Sequence, residues 1–368
     1  MRKFLKYVFC VLGGVLFLLY AVAAWVTVRH ETDLVFHPHQ LDSTTPPEVR
    51  PLILPHAESV VFLGEDMRKL HGYFAQSGSF IDENTIPVLF CHGNGGNCLY
   101  TSGWFFFEQQ DADAQGNRGP SRFAMFSFDY RAYGFSEGKK SELNEDAVFS
   151  DARAARAWLA QKCGKKESEV VLMGHSLGGG VASDLAQDGT PALILCSTFD
   201  SVPNVPKTYY PVFPFSLLMK NQFASAEKLA RISVPILQFH DPTDNIVPYR
   251  NGLKLHEAAQ EPKTFVTLSG LCHNYSPNPE MCRQITEFLL THALSPSKGS
   301  DPVPDAGSAQ DTDAAQDAGA MQNADAMQNA GAVQNADALQ NADAVQNADA
   351  VQNTDAVQNA ELLPKTKG

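Results

Sequence analysis

Chemistry in this chain can begin at Ser176. Residues 170–179 read Val-Val-Leu-Met-Gly-His-Ser-Leu-Gly-Gly, an apolar, β-branched run that meets Gly-x-Ser-x-Gly and passes into an Ala- and Leu-rich stretch. This is the sequence form of a nucleophile elbow: a buried strand, a turn with no room for side chains at its flanks, then a helix. Gly174 and Gly178 have a steric task there, because a Cβ at either would collide with the neighbouring strand and helix. Ser176 Oγ then stands clear of the sheet edge, and the N–H of Leu177 faces a developing oxyanion at the helix N-terminus. A serine hydroxyl is a poor nucleophile at neutral pH and needs a base, itself oriented by a carboxylate. In folds with this elbow the chain order is Ser, then Asp or Glu, then His. Asp244, in the loop His240–Pro248, and His273, in the loop Leu268–Asn274, satisfy that order, and each follows an apolar strand-like run. Asp241 competes with Asp244 but lies so close to the strand end that it reads as a turn or capping residue. His256 and His292 fall on helical stretches and lack the loop position. The reaction class these residues imply is acyl transfer through an acyl-enzyme.

A second oxyanion donor is expected from the loop after the run Ile86–Cys91. His92-Gly93-Asn94-Gly95-Gly96 suits this, because glycines let backbone N–H groups converge. Neither Gly-x-Gly-x-x-Gly nor a Walker-type Lys is present, so phosphate loops are excluded. The seven cysteines lack metal-like Cys-x-x-Cys spacing. No metal and no cofactor are expected; Cys272 and Cys282 are a potential disulfide in an oxidising compartment.

The elements that must position these residues alternate. Strands are expected at Ser59–Leu63, Leu70–Ala75, Ile86–Cys91, Phe123–Phe128, Val170–Met173, Ala192–Cys196, Val234–His240 and Thr264–Leu268. Helices are expected at Cys98–Gln110, Glu142–Cys163, after Ser176 to about Gln187, at Tyr249–Ala259 and at Pro279–Leu294, with a loop at Asp111–Arg122. An initial hairpin followed by strand–helix alternation predicts a mostly parallel sheet covered on both faces. The connection Phe199–Ala230 is rich in Pro and Phe. Its stretch Tyr209–Met219 reads either as an apolar wall that receives an acyl chain from a short cap, or as a helix buried on the sheet.

Both ends differ from this middle. Arg2, Lys3 and Lys6 precede 22 uncharged residues, Tyr7–Val28, closed by Arg29. At helical rise such a run spans a hydrocarbon core of roughly 30 Å. It exceeds the roughly 7–15 residues of a signal-peptide core, which favours an uncleaved anchor over cleavage after Ala21-Val22-Ala23. The basic flank places the N-terminus in the cytoplasm and all that follows on the periplasmic or lumenal side. Residues 296–368 contain no Phe, Trp or Tyr and repeat Ala-Val-Gln-Asn-Ala-Asp with small variations. One Val, Leu or Met per unit cannot stack into a β-helix, so an acidic, disordered tail is expected. Of the net charge of −13, −8 belongs to this tail and −5 to residues 1–295. No basic stretch interleaved with aromatics occurs, which excludes nucleic acid as a partner. The expected organisation is an anchor at 1–30, one α/β domain at 31–295 and the tail.

His92-Gly93-Asn94-Gly95-Gly96-Asn97, Asp129-Tyr130-Arg131-Ala132-Tyr133-Gly134-Phe135-Ser136-Glu137-Gly138, Gly174–Gly179, Asp244-Asn245-Ile246-Val247-Pro248 and His273-Asn274 together resemble the Bem46-type branch of the α/β-hydrolase superfamily. The resemblance covers residues 30–294 and extends to the N-terminal anchor. It implies the α/β-hydrolase fold with a short cap. It also implies a serine hydrolase of the esterase, thioesterase or lipase kind, with Ser176 as nucleophile, His273 as base and Asp244 as its orienter. The N–H groups of Leu177 and Asn94 would be the oxyanion donors, and an acyl ester, thioester or lipid-like molecule the substrate. A serine aminopeptidase-like peptidase and a non-catalytic scaffold are the alternatives. Ala132 stands where the family usually has Gly, a departure expected only to tighten one turn.

Overall fold

The computed structural model describes residues 2–41, 57–99 and 120–294. The expected helix Cys98–Gln110 is visible only as a turn at Cys98–Leu99. The rest of it, most of the loop 111–122 and the tail 296–368 lie outside the described residues.

The chain opens with a 28-residue helix, α1 (Arg2–Arg29), then a short helix α2 (Glu31–Val35) and a two-residue strand β1 (His37–Pro38). α1 is long and apolar enough to cross a membrane, and among the described residues its most apolar stretch is not buried. A hairpin follows, β2 (Glu58–Leu63) and β3 (Lys69–Gln76), then β4 (Ile86–Cys91), the two-residue β5 (Gly95–Gly96) and β6 (Phe123–Asp129). Next come α3 (Glu145–Lys162), β7 (Val171–His175), α4 (Leu177–Leu185) and β8 (Leu193–Cys196). Three short helices, α5 (Asn204–Lys207), α6 (Phe215–Leu218) and α7 (Ser225–Leu229), form the cap connection. β9 (Ile236–His240), α8 (Tyr249–Ala258), β10 (Lys263–Thr267) and α9 (Pro279–His292) complete the domain.

Eight strands make one sheet in the order β10-β9-β8-β7-β4-β6-β3-β2. Only β2 and β3 run antiparallel to their neighbours; the other pairs are parallel. Central strands buried on both faces must be apolar throughout, and alternate residues divide between two cores. In β7, Leu172 joins the core under α3 and α4, whereas Val171 and Met173 join the core that receives Met281, Ile285 and Leu289 of α9. Helix starts follow side-chain capping: Asn144 accepts from the Ala147 N–H at 3.0 Å, and Asn278 from the Met281 N–H at 2.9 Å. The strand order reverses between β4 and β7, and in open α/β sheets ligands gather at that crevice, beyond the strands' carboxyl ends.

Three details depart from the expectations. Cys272 is exposed and Cys282 partly buried, and neither is in a disulfide, so the pairing of these two is not formed. Residues 31–57, which with Pro38, Pro46, Pro47, Pro51 and Pro55 read as an extended approach to the domain, instead begin with α2 and with β1, which pairs in parallel with β5, His37 opposite Gly95 and Pro38 opposite Gly96. Ala132 does more than tighten a turn: its φ is +64°, a left-handed conformation that glycine adopts without penalty.

Candidate active site

Ser176 sits directly beyond β7, which pairs with β4 on one side and β8 on the other. Its backbone has φ +53° and ψ −121°, a strained state for a residue with a side chain. The surroundings enforce it. The Ser176 N–H donates to the Cys196 carbonyl at 2.9 Å, and Thr198 Oγ1 donates to the Ser176 carbonyl at 2.7 Å. The flanking glycines have no room for a side chain: a Cβ at Gly174 would lie 2.2 Å from the Gly178 oxygen, and one at Gly178 1.9 Å from the Cys91 oxygen.

Ser176, His273 and Asp244 come together as one hydrogen-bonded line. His273 Nε2 lies 3.0 Å from Ser176 Oγ, and His273 Nδ1 lies 2.7 Å from Asp244 Oδ2. All three are buried. Asp244 Oδ1 accepts the N–H groups of Ile246 at 2.9 Å and Val247 at 2.8 Å. Burial alone would raise the Asp244 pKa, but hydrogen bonds from His240 and His273, with these backbone donors, outweigh it and hold the carboxyl well below the usual range. His240, fully buried at the end of β9, donates Nε2–H to the Val247 carbonyl at 2.9 Å and lies 3.4 Å from Asp244 Oδ2.

Leu177 is the first residue of α4, directly after Ser176, so its N–H has no partner within the helix. The loop after β4 borders the same point: a Cβ at Gly93 would lie 3.4 Å from Ser176 Cβ. Its carbonyls are spoken for. Tyr130 Oη donates to the His92 carbonyl at 3.0 Å, while Tyr133 Oη at 2.7 Å and the His37 N–H at 2.9 Å both donate to the Asn94 carbonyl. Fixing those oxygens fixes the planes that carry the Gly93 and Gly95 N–H groups, while the plane that carries the Asn94 N–H is held by its own carbonyl, that of Gly93, which accepts from His92 Nδ1 at 2.8 Å.

Sequence reasoning missed two supports. His175, the variable position before the serine, donates Nε2–H to the His273 carbonyl at 2.9 Å and so holds the backbone of the histidine loop. Burial, reinforced by the nearby His273 ring, pushes its pKa down to about 3, which keeps it neutral. Asp241 is a turn residue, as read, but it also ties two loops together. Its Oδ1 accepts from the Thr243 N–H at 2.7 Å and hydroxyl at 2.6 Å, and its Oδ2 accepts from the Leu271 N–H at 2.6 Å. Burial raises its pKa, but these donors prevail and lower it.

Among the described residues one group has metal-ligand character: His71, Cys98 and Asp129 bring ligand atoms within 4.8 Å of one another. Asp129 is engaged there with the Cys98 N–H at 2.7 Å and the Cys98 thiol at 3.1 Å, an arrangement that starts the turn at Cys98.

Comparison with known proteins agrees with this fold. The profile of the α/β hydrolase family matches residues 88–337. The chain belongs to that family. Within it, an uncharacterized protein of Mycobacterium tuberculosis is 33% identical over 230 residues, covering 62% of this chain and 75% of that protein. The lysophosphatidylserine lipase ABHD12 of Danio rerio is 34% identical over 201 residues, 45% of this chain and 50% of the lipase. Among solved structures, Est1E from Butyrivibrio proteoclasticus with bound ferulic acid superposes with a TM-score of 0.50 at 17% identity, covering 64% of this chain and all of that one; this likeness shows the fold.

Proposed function

We propose that this hydrolase is a membrane-anchored serine enzyme that cleaves acyl ester or thioester bonds through Ser176, His273 and Asp244. The observation that carries the reading is the unbroken line Asp244 Oδ2–His273 Nδ1 (2.7 Å) and His273 Nε2–Ser176 Oγ (3.0 Å), ending on a serine at φ +53°. His273 Nε2 takes the Ser176 proton as Oγ attacks the carbonyl carbon, and the oxygen's charge falls to the N–H groups of Leu177 and Asn94. The imidazolium, stabilised by the Asp244 carboxylate, then gives its proton to the departing alkoxide or thiolate. Water, activated by the same nitrogen, attacks the acyl-enzyme and releases the acid. The lipase among the relatives supports an acyl substrate. In this reading α1 anchors the domain, with Arg2, Lys3 and Lys6 on the cytoplasmic side and the hydrolase beyond Arg29 on the other.

A fluorophosphonate probe, followed by p-nitrophenyl acyl esters compared with aminoacyl anilides, tests it. Labelling of the wild type that vanishes in Ser176→Ala, with esters preferred, is the expected result. A folded wild type that takes no label would overturn the reading, and a preference for anilides would make the enzyme a peptidase.

A further inference from the structure

The cap is unusual for a surface segment. From Tyr209 to Met219 no residue is charged, and no acidic residue occurs between Asp200 and Glu227, while Lys207 and Lys220 flank the stretch. Val212 and Leu217 are each 87% exposed, Tyr210 65% and Tyr209 55%. Four large apolar or aromatic side chains exposed within nine residues mark a surface that meets something apolar. Aromatic and aliphatic residues bounded by lysines are the composition of a segment lying at a lipid interface.

The position of α1 identifies the partner. Tyr20 of α1 packs its ring against Phe213 of the cap, centroids 5.3 Å apart, and Phe213 in turn packs on Phe215 at 4.6 Å. The junction is pinned below: Glu31, just after α1, accepts the N–H groups of Lys220 at 2.7 Å and Asn221 at 2.6 Å. Tyr20 precedes Arg29 by nine residues, roughly 13 Å along the helix axis. Were the bilayer to end at Tyr20, only Tyr7–Leu19 would cross it, about 20 Å of helix against a core of roughly 30 Å. A full span therefore needs the turns after Tyr20 as well, and the cap that touches Tyr20 then lies level with the lipid chains.

We propose that Tyr209–Leu218 is embedded in the outer leaflet beside the last turns of α1, so that the enzyme takes acyl substrates sideways out of the bilayer. This rests on the reading of α1 as a membrane anchor. The cap also reaches the site, since Tyr209 Oη approaches the carbonyl of Asn245, the neighbour of Asp244, at 3.5 Å. A lipid entering beneath the cap thus arrives at the catalytic loop with its acyl chain still among other chains.

The experiment uses the full chain in phosphatidylcholine vesicles, with Cys272 and Cys282 replaced by serine. A nitroxide is placed on native Cys10, or, with Cys10→Ser, on Val212→Cys, Leu217→Cys or Glu287→Cys. Glu287 lies on α9, across the sheet from the cap. Collisions with oxygen, which concentrates in lipid, are compared with those of a water-soluble nickel chelate. The oxygen-to-nickel ratio at 212 and 217 is expected to approach that at Cys10 and to exceed that at 287 severalfold. Ratios at 212 and 217 equal to that at 287, with Cys10 in lipid, would overturn the cap proposal and leave the hydrolase reading intact. A nickel-accessible Cys10 would overturn the anchor and the cap together. None of these readouts requires catalysis.

Discussion

Replacing Asp244 with asparagine tests the site most sharply, because the structure dictates how the amide must sit. Oδ1 accepts two backbone N–H groups, from Ile246 and Val247, so the amide oxygen has to stay there. Turning it around would set an NH2 group against two donors, at about 1–3 kcal/mol for each unsatisfied group. The NH2 group therefore takes the Oδ2 position and faces His273 Nδ1, which is 2.7 Å away. Nδ1 must then accept, the ring proton moves to Nε2, and Nε2 can no longer take the proton of Ser176 Oγ, 3.0 Å away. The same substitution in a serine protease costs about 10⁴ in kcat. For Asp244→Asn a loss of at least roughly a hundredfold in kcat is expected, with KM little changed, since the defect lies in proton transfer and not in binding. Asp241→Asn is the matched control. Its oxygen stays on the two Thr243 donors and its NH2 turns toward the Leu271 N–H, costing about 1–3 kcal/mol of stability. Its kcat is expected within about tenfold of wild type, because His273 keeps its tautomer. Steady-state kinetics on a p-nitrophenyl ester, with melting curves for both variants, decide the matter. A larger kcat loss in Asp241→Asn than in Asp244→Asn would refute the assignment.

Gly178→Ala places a Cβ 1.9 Å from the Cys91 carbonyl oxygen, a backbone atom with nowhere to go. A stability loss above about 4 kcal/mol is expected in urea unfolding, and a near-native midpoint would contradict the elbow geometry. His175 has a folded pKa of about 3 against an ordinary 6.5. The unfolded chain therefore binds an extra proton between those values, so stability is complete above pH 6.5 and falls on acidification toward pH 3. His175→Gln, which can still donate to the His273 carbonyl, should flatten that slope by up to about 1.4 kcal/mol per pH unit; an unchanged slope would assign the acid sensitivity elsewhere. Removing residues 296–368 should leave the melting temperature and esterase activity nearly unchanged, and a large loss of either would show that the acidic repeat supports the domain.

Much of this architecture was legible because the relevant signals are local. Buried parallel strands are apolar along their whole length, so Ile86–Cys91 was readable to the residue and Val171–His175 to within two. That Ser176 and His273 would meet was legible from strand-end position and chain order, and that Asp244 would join them from Pro242 and the apolar Ile246-Val247 around it. The rest depends on tertiary neighbours. Nothing local reveals that Asp241 reaches the Leu271 N–H thirty residues away, or that His175 bonds to a carbonyl 98 residues on. The position of His175 in Gly-x-Ser-x-Gly was the one available hint, since the residue before the nucleophile must lie beside the histidine loop. The pairing of β1 with β5 left no trace either: two residues, one of them Pro38, carry no periodicity.

That small pairing bears on where α1 can be cut away from the domain. The segment leading out of α1 is a hydrogen-bond partner of the loop that holds Asn94: the His37 N–H binds the Asn94 carbonyl, the His39 N–H binds the Gly96 carbonyl, and Asn97 Nδ2 donates to the His39 carbonyl at 3.2 Å. Cutting the chain between Arg29 and Glu31 would remove α1, the proposed anchor, and leave these contacts in place. A cut after Leu41 would remove these three bonds as well and leave the Gly-rich loop to Tyr130, Tyr133 and the His92 ring. The stalk is thus also a brace, and a shed form of this protein is competent or crippled according to which dozen residues it keeps.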